Sequence, residues 1–170
     1  MAKKITYLLM SFFLIIGQAV SAETLNANLR INSIRVQGKK SKVFDRISIK
    51  NQSYDIESVD LSISDSEGIV RFDFLNINNN DNLSSLLNES KGTKVDLTDT
   101  ISEIVFTEND SESEGSLVFN FDVKKAKARR TKKGIIVNIN TETKAFDCEA
   151  FDLECDGEQN LKLKGRINFK

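Results

Sequence analysis

The densest charge in this 170-residue chain is "KKAKARRTKKG", residues 124–134. Lys124, Lys125, Lys127, Arg129, Arg130, Lys132 and Lys133 place seven cations in ten residues. Side chains of this type at this density recruit anions: phospholipid headgroups, lipopolysaccharide phosphates or an acidic envelope protein. Nucleic acid fits less well. The formal charge of the chain is −1, and no aromatic residue interleaves the run to stack on bases. An intramolecular account stands beside the intermolecular one, because Asp96–Glu114 carries seven acids and no base. Those carboxylates would neutralise the run from within.

The second chemical feature is "FDCEAFDLEC", residues 146–155, which holds the only two cysteines, Cys148 and Cys155. Two thiols without histidine fall short of the ligand set of a structural zinc site. Their spacing is not the Cys-x-x-Cys of a redox pair, and the flanking acids raise rather than lower a thiol pKa. A disulfide is the expectation. Seven residues of strand would hold the Cα atoms ~23 Å apart and seven of helix ~10 Å, against the roughly 4.4–6.8 Å that a disulfide needs. The intervening "EAFDLE" must therefore turn back on itself. A change of parity between Phe146 and Cys148 on one side and Phe151, Leu153 and Cys155 on the other agrees with such a turn. Closing the loop would stabilise the fold by about 2–3 kcal/mol.

Catalysis has little to build on. The chain contains no histidine, hence no Ser–His–Asp or Cys–His nucleophile and no imidazole base. Its eight glycines are scattered and form no phosphate-cradling loop. A carboxylate-dependent hydrolase is the remaining enzymatic alternative, but 25 acids do not single out a pair. "NINNNDN" (76–82) and "ENDSESEG" (108–115) are rich in oxygen ligands, yet neither follows the calcium-loop pattern. They read as surface turns, and no metal or cofactor is expected. Trp is absent and Tyr54 is the only Tyr after residue 22, so aromatic platforms for stacking on sugars are missing.

These features need a compartment. Residues 1–22 read as a secretory signal, with Lys3 and Lys4, the apolar run "ITYLLMSFFLII", and Val20 and Ala22 at a cleavage site. The run is short for a membrane span of ~20 residues. Residues 23–170 would then form a single β-rich domain, periplasmic or extracellular, with 22 bases against 25 acids. In an oxidising compartment a cysteine pair closes. No later stretch is apolar enough to cross a membrane.

They also need a scaffold, and the scaffold is written in period two. "SLVFNFDVK" sets Leu117, Phe119, Phe121 and Val123 on one face. "LKLKGRINFK" sets Leu161, Leu163, Ile167 and Phe169 inward and Lys162, Lys164 and Arg166 outward. "GIIVNIN", "VDLSIS" (Val59, Leu61, Ile63) and "IVRFDF" repeat the pattern. Less regular strands are expected over 28–37, with a parity slip between Ile31 and Ile34, and over 43–50, 94–97 and 101–107. The basic run falls between two clear strands, so strand ends and a hairpin loop are expected there. One short helix is expected at Leu83, Leu86 and Leu87, capped by Asp81 or Asn82. Gly68 and Gly115 should supply positive φ to two similar hairpins, 59–74 and 104–123. With no proline in the chain, the outward cations of 162–170 read as protection of an edge strand.

The expected architecture is all-β: an antiparallel β-sandwich or partly closed barrel of about nine or ten strands, with one short helix. The expected role is binding or structural interaction by an exported, non-enzymatic domain. In architecture alone the string of amphipathic strands is similar to jelly-roll proteins that move lipid across bacterial envelopes. The nine Phe residues after residue 22 give the alternative of a hydrophobic-ligand carrier with a Phe-lined interior and a cationic loop at its mouth.

Overall fold

The computed structural model describes residues 24–37, 44–109, 116–142, 146–147 and 158–170. In chain order the elements are β1 (Thr24–Gln37), β2 (Phe44–Asp45), β3 (Ser48–Asp55), β4 (Leu61–Ser64) and β5 (Val70–Leu75). A single 3-10 turn, Asn79–Asp81, then leads into α1 (Asn82–Leu87). The rest is β6 (Lys94–Asp96), β7 (Glu103–Asn109), β8 (Ser116–Thr131), β9 (Gly134–Glu142), β10 (Phe146–Asp147) and β11 (Glu158–Phe169).

All the described strand pairs are antiparallel and make one sheet, β3–β1–β11–β9–β8–β7–β5–β4. The short strands attach to it: β2 to β1, β6 to β8, β10 to β11. The ends of the sheet, β3 and β4, come into contact, so the sheet curls into a nearly closed barrel. Of the two expected architectures, the barrel is the one formed. The alternating apolar residues line its inside: Phe72, Phe74, Phe106, Phe121, Ile139, Leu163, Ile167 and Phe169 are all buried.

Several expectations need correction. Segment 43–50 is not one strand, because Arg46 adopts φ 59° and breaks it between β2 and β3. Val59 does not join Leu61 and Ile63 inside; it lies before β4 and is 47% exposed. The cations of 162–170 do not guard an edge, since β11 is hydrogen-bonded to β1 on one side and β9 on the other. The parity slip in 28–37 is a register shift in β1 between Ile31 and Ser33. Gly68 has φ +72° at the β4–β5 turn, whereas Gly115 lies outside the described residues.

The helix seats Leu83 and Leu86, both fully buried, against β8, β9 and β6. Its cap is neither Asp81 nor Asn82. Asp81 sits at the N-cap position in the left-handed region and makes no side-chain cap bond. Asn78 does the work instead. Its Oδ1 accepts from the backbone N–H of Leu83 at 2.7 Å and of Ser84 at 3.4 Å. Its Nδ2 donates to the Ile56 carbonyl and to Ser84 Oγ. A primary amide offers two acceptor sites and two N–H donors, so this 2% exposed side chain is fully satisfied. The asparagines of 76–82 thus serve the backbone: Asn76 and Asn80 take φ 59°, a region that Asn tolerates better than most residues.

Candidate anionic-partner surface

The basic run takes the expected form of strand ends and a hairpin turn: 124–131 is the second half of β8, Lys132 and Lys133 are the turn, and Gly134 opens β9. Its placement follows from one irregularity. The register of β8 with β9 steps from Val123–Thr141 directly to Lys125–Asn140, which makes Lys124 the extra residue of a β-bulge. A bulge bends its strand and reverses the side-chain parity beyond it. Before the bulge Phe119 and Phe121 point inward; after it Ala126 and Ala128 do, fully buried. Lys125, Lys127 and Arg129 are thereby turned out and are exposed.

The bend also changes the neighbour of β8 on its other edge. Its first half pairs with β7, its second half with β6. Thr98 makes the junction, its hydroxyl accepting from the Ala126 N–H at 3.1 Å and donating to Asp96 Oδ1 at 2.5 Å. The same Asp96 Oδ1 accepts from the Thr98 N–H, and Oδ2 lies 3.6 Å from Lys127 Nζ. These bonds from Thr98, then the charge of Lys127, hold the Asp96 carboxyl below its usual pKa of 3.8. The expected neutralisation of the run by 96–114 takes this form at Asp96. Glu103 and Glu108 lie on β7, opposite or beyond the Phe-bearing half of β8.

The seven predicted cations do not share one surface. Lys124 is at the bulge and exposed. Arg130 has the inward parity, is half-buried opposite Ile135, and is tied through its backbone to Thr93 and Gly92. Lys132 and Lys133 form the exposed β8–β9 turn. That turn depends on Gly134, whose φ is +137° and whose absent Cβ would stand 1.9 Å from the Phe169 carbonyl oxygen. Beside it lies an open groove of about 360 Å³, rimmed by Lys91, Lys132, Lys133 and Lys170, with Ile136 and Asn168 in its floor.

Sheet register adds residues that the sequence reading had placed elsewhere. Lys127 is opposite Asn138, Asn138 opposite Arg166, and Arg166 opposite Arg30. Lys125 is opposite Asn140, and Asn140 opposite Lys164. Lys94 stands beside Arg129. The alternation in 162–170 carried the signal for Lys164 and Arg166; only knowledge that β11 is a central strand makes them neighbours of the run.

Cys148 and Cys155, like residues 1–22, lie outside the described residues. The strands that bracket the cysteines in sequence, β10 and β11, pair antiparallel, Asp147 with Glu158. Among the described residues no cluster of acidic, Cys or His side chains could hold a metal ion. Among them, too, no helix is long and apolar enough to cross a membrane. No family model, curated protein or solved structure matches this chain.

Proposed function

We propose that the protein is an exported, non-enzymatic binding domain that engages an anionic partner through the outward cations of 124–133. One observation carries the reading: the bulge at Lys124 turns Lys125, Lys127 and Arg129 onto one exposed face. Asp96 offsets only one of these charges, at 3.6 Å from Lys127, and exposed like charges held this close attract counter-ions. Export rests on the signal-like residues 1–22, and the oxidised state of Cys148 and Cys155 on their even number in an exported chain and on the antiparallel pairing of β10 with β11 on either side of them in sequence. The test is co-sedimentation at low salt with phosphatidylglycerol vesicles and retention on a sulfonate resin. Changing Lys127, Arg129, Lys132 and Lys133 to Ser should abolish both; undiminished binding refutes the reading. Intact mass of the exported protein should correspond to Glu23–Lys170 less two hydrogens.

A second reading, carriage of a hydrophobic ligand, draws on the lysine-rimmed groove, whose volume of about 360 Å³ lies at the low end of small-molecule sites. It weighs less, because the interior beneath 126–137 is occupied by Leu83, Leu86, Ala126, Ala128, Ile135 and Val137, all fully buried. Native mass spectrometry on protein purified from its compartment decides it: a co-purifying lipid mass would displace the first reading.

A further inference from the structure

We propose that the outer face of the β8–β9–β11–β1 arc is a binding track for a linear acidic polysaccharide, read by charge and amide groups rather than by aromatic stacking. This deepens the anionic-partner reading and rests on it.

The argument is the register. Two adjacent rows cross the strands, Lys125–Asn140–Lys164 and Lys127–Asn138–Arg166, and both alternate cation, amide, cation. The second row continues to Arg30. Neighbouring strands lie ~4.8 Å apart, so the cations flanking each amide are ~9.6 Å apart and the longer row spans ~14 Å. A matching ligand must set anionic groups at intervals along a line, with neutral hydrogen-bonding groups between them. Carboxylated or sulfated polysaccharides do this at the scale of a disaccharide repeat, the hydroxyls facing the asparagines. A bilayer would instead favour apolar side chains between the cations, where Asn138 and Asn140 stand.

A second observation points the same way. Arg30 and Arg166 are direct cross-strand neighbours on one face, and among the described residues neither has a carboxylate within salt-bridge distance. Like charges so placed oppose folding. Two adjacent guanidinium groups also form a fork that suits a carboxylate or sulfate, which they can grip with parallel N–H bonds.

The experiment measures binding of the full chain to polygalacturonate, dextran sulfate, uncharged dextran and phosphatidylglycerol vesicles. The two acidic polysaccharides should bind in a salt-sensitive manner and dextran should not. Arg30→Ser with Arg166→Ser, leaving 124–133 intact, should weaken polysaccharide binding about tenfold or more. Asn138→Ala with Asn140→Ala should weaken it several-fold without altering retention on the sulfonate resin. Arg166→Ser alone should raise the melting temperature by about 1–3 °C, because a like-charge contact is removed; a fall would show that the fold itself satisfies Arg166 and would overturn the proposal. Full polysaccharide affinity in the double arginine variant, lost only when the 124–133 cations are changed, would sink the track while sparing the anionic-partner reading. Tighter binding to vesicles than to either polysaccharide would assign the face to a membrane. Binding to none of the anionic probes would remove both readings.

Discussion

The barrel has two unlike halves. In β4, β5, β7 and the first part of β8 the interior is aromatic: Phe72 meets Phe106 at 4.8 Å, and Phe106 meets Phe119 at 5.8 Å. The chain from 55 to 109, which supplies most of that half, carries twelve acids and three bases. In the second part of β8 with β9, β11 and β1, the interior is mostly aliphatic, Ala27, Ala126, Ala128, Val137 and Ile139 among it, with Phe169 as its ring. There α1 packs in to complete the core, and the outside is basic. The comparison shows two ways of filling one barrel, a row of packed rings or mainly aliphatic side chains plus an inserted helix. It also shows that a formal charge of −1 conceals a strongly polarised molecule.

The largest effect should come from the aromatic half. Phe106→Ala removes the ring between Phe72 and Phe119 and should cost about 3–5 kcal/mol in urea unfolding; a loss below about 1.5 kcal/mol would mean the rings are not the seat of that half's stability. Gly134→Ala, at the tip of the basic half, combines a positive φ with a main-chain clash at Phe169. It should cost about 3 kcal/mol. Ala128→Leu tests whether the helix fills the space above the small residues, since overpacking should cost about 1–3 kcal/mol, and a neutral result would show slack there. Asn78→Ala, which strips the bonds that seat α1, should cost about 1–3 kcal/mol.

The smallest effect concerns pH. The folded carboxyl of Asp96 titrates below its usual 3.8, so its contribution is fully present above that value. It is lost as pH falls through the lowered folded value. A carboxyl-carbon NMR titration should show a midpoint under 3.8, moving back up in Thr98→Val, which removes the first of its causes.

The aromatic half was the readable one. In β5 and the first part of β8 alternation is strict, and Phe72, Phe74, Phe119 and Phe121 fall inside as their parity dictates; Phe106 joins them from β7, within the less regular 101–107. The basic half was harder because a single bulge reverses parity within "DVKKAKAR", where lysines flank both possible registers. Alternation reads the same on an edge strand as on a central one, so Lys164 and Arg166 carried no mark of their neighbours. The helix was legible from its leucines, but its cap was not. Asn78 acts from five residues before Leu83, across a 3-10 turn, where the usual signal sits closer to the first helical residue.

Because β11 lies between β1 and β9, both of those strands wait for residues near position 170 before either has its full complement of hydrogen bonds. Loop closure across nearly the whole sequence precedes any reward from that pairing. Folding should accordingly be slow for the chain's size, on the order of milliseconds to seconds. An emerging polypeptide would lack this central pairing until β11 arrives.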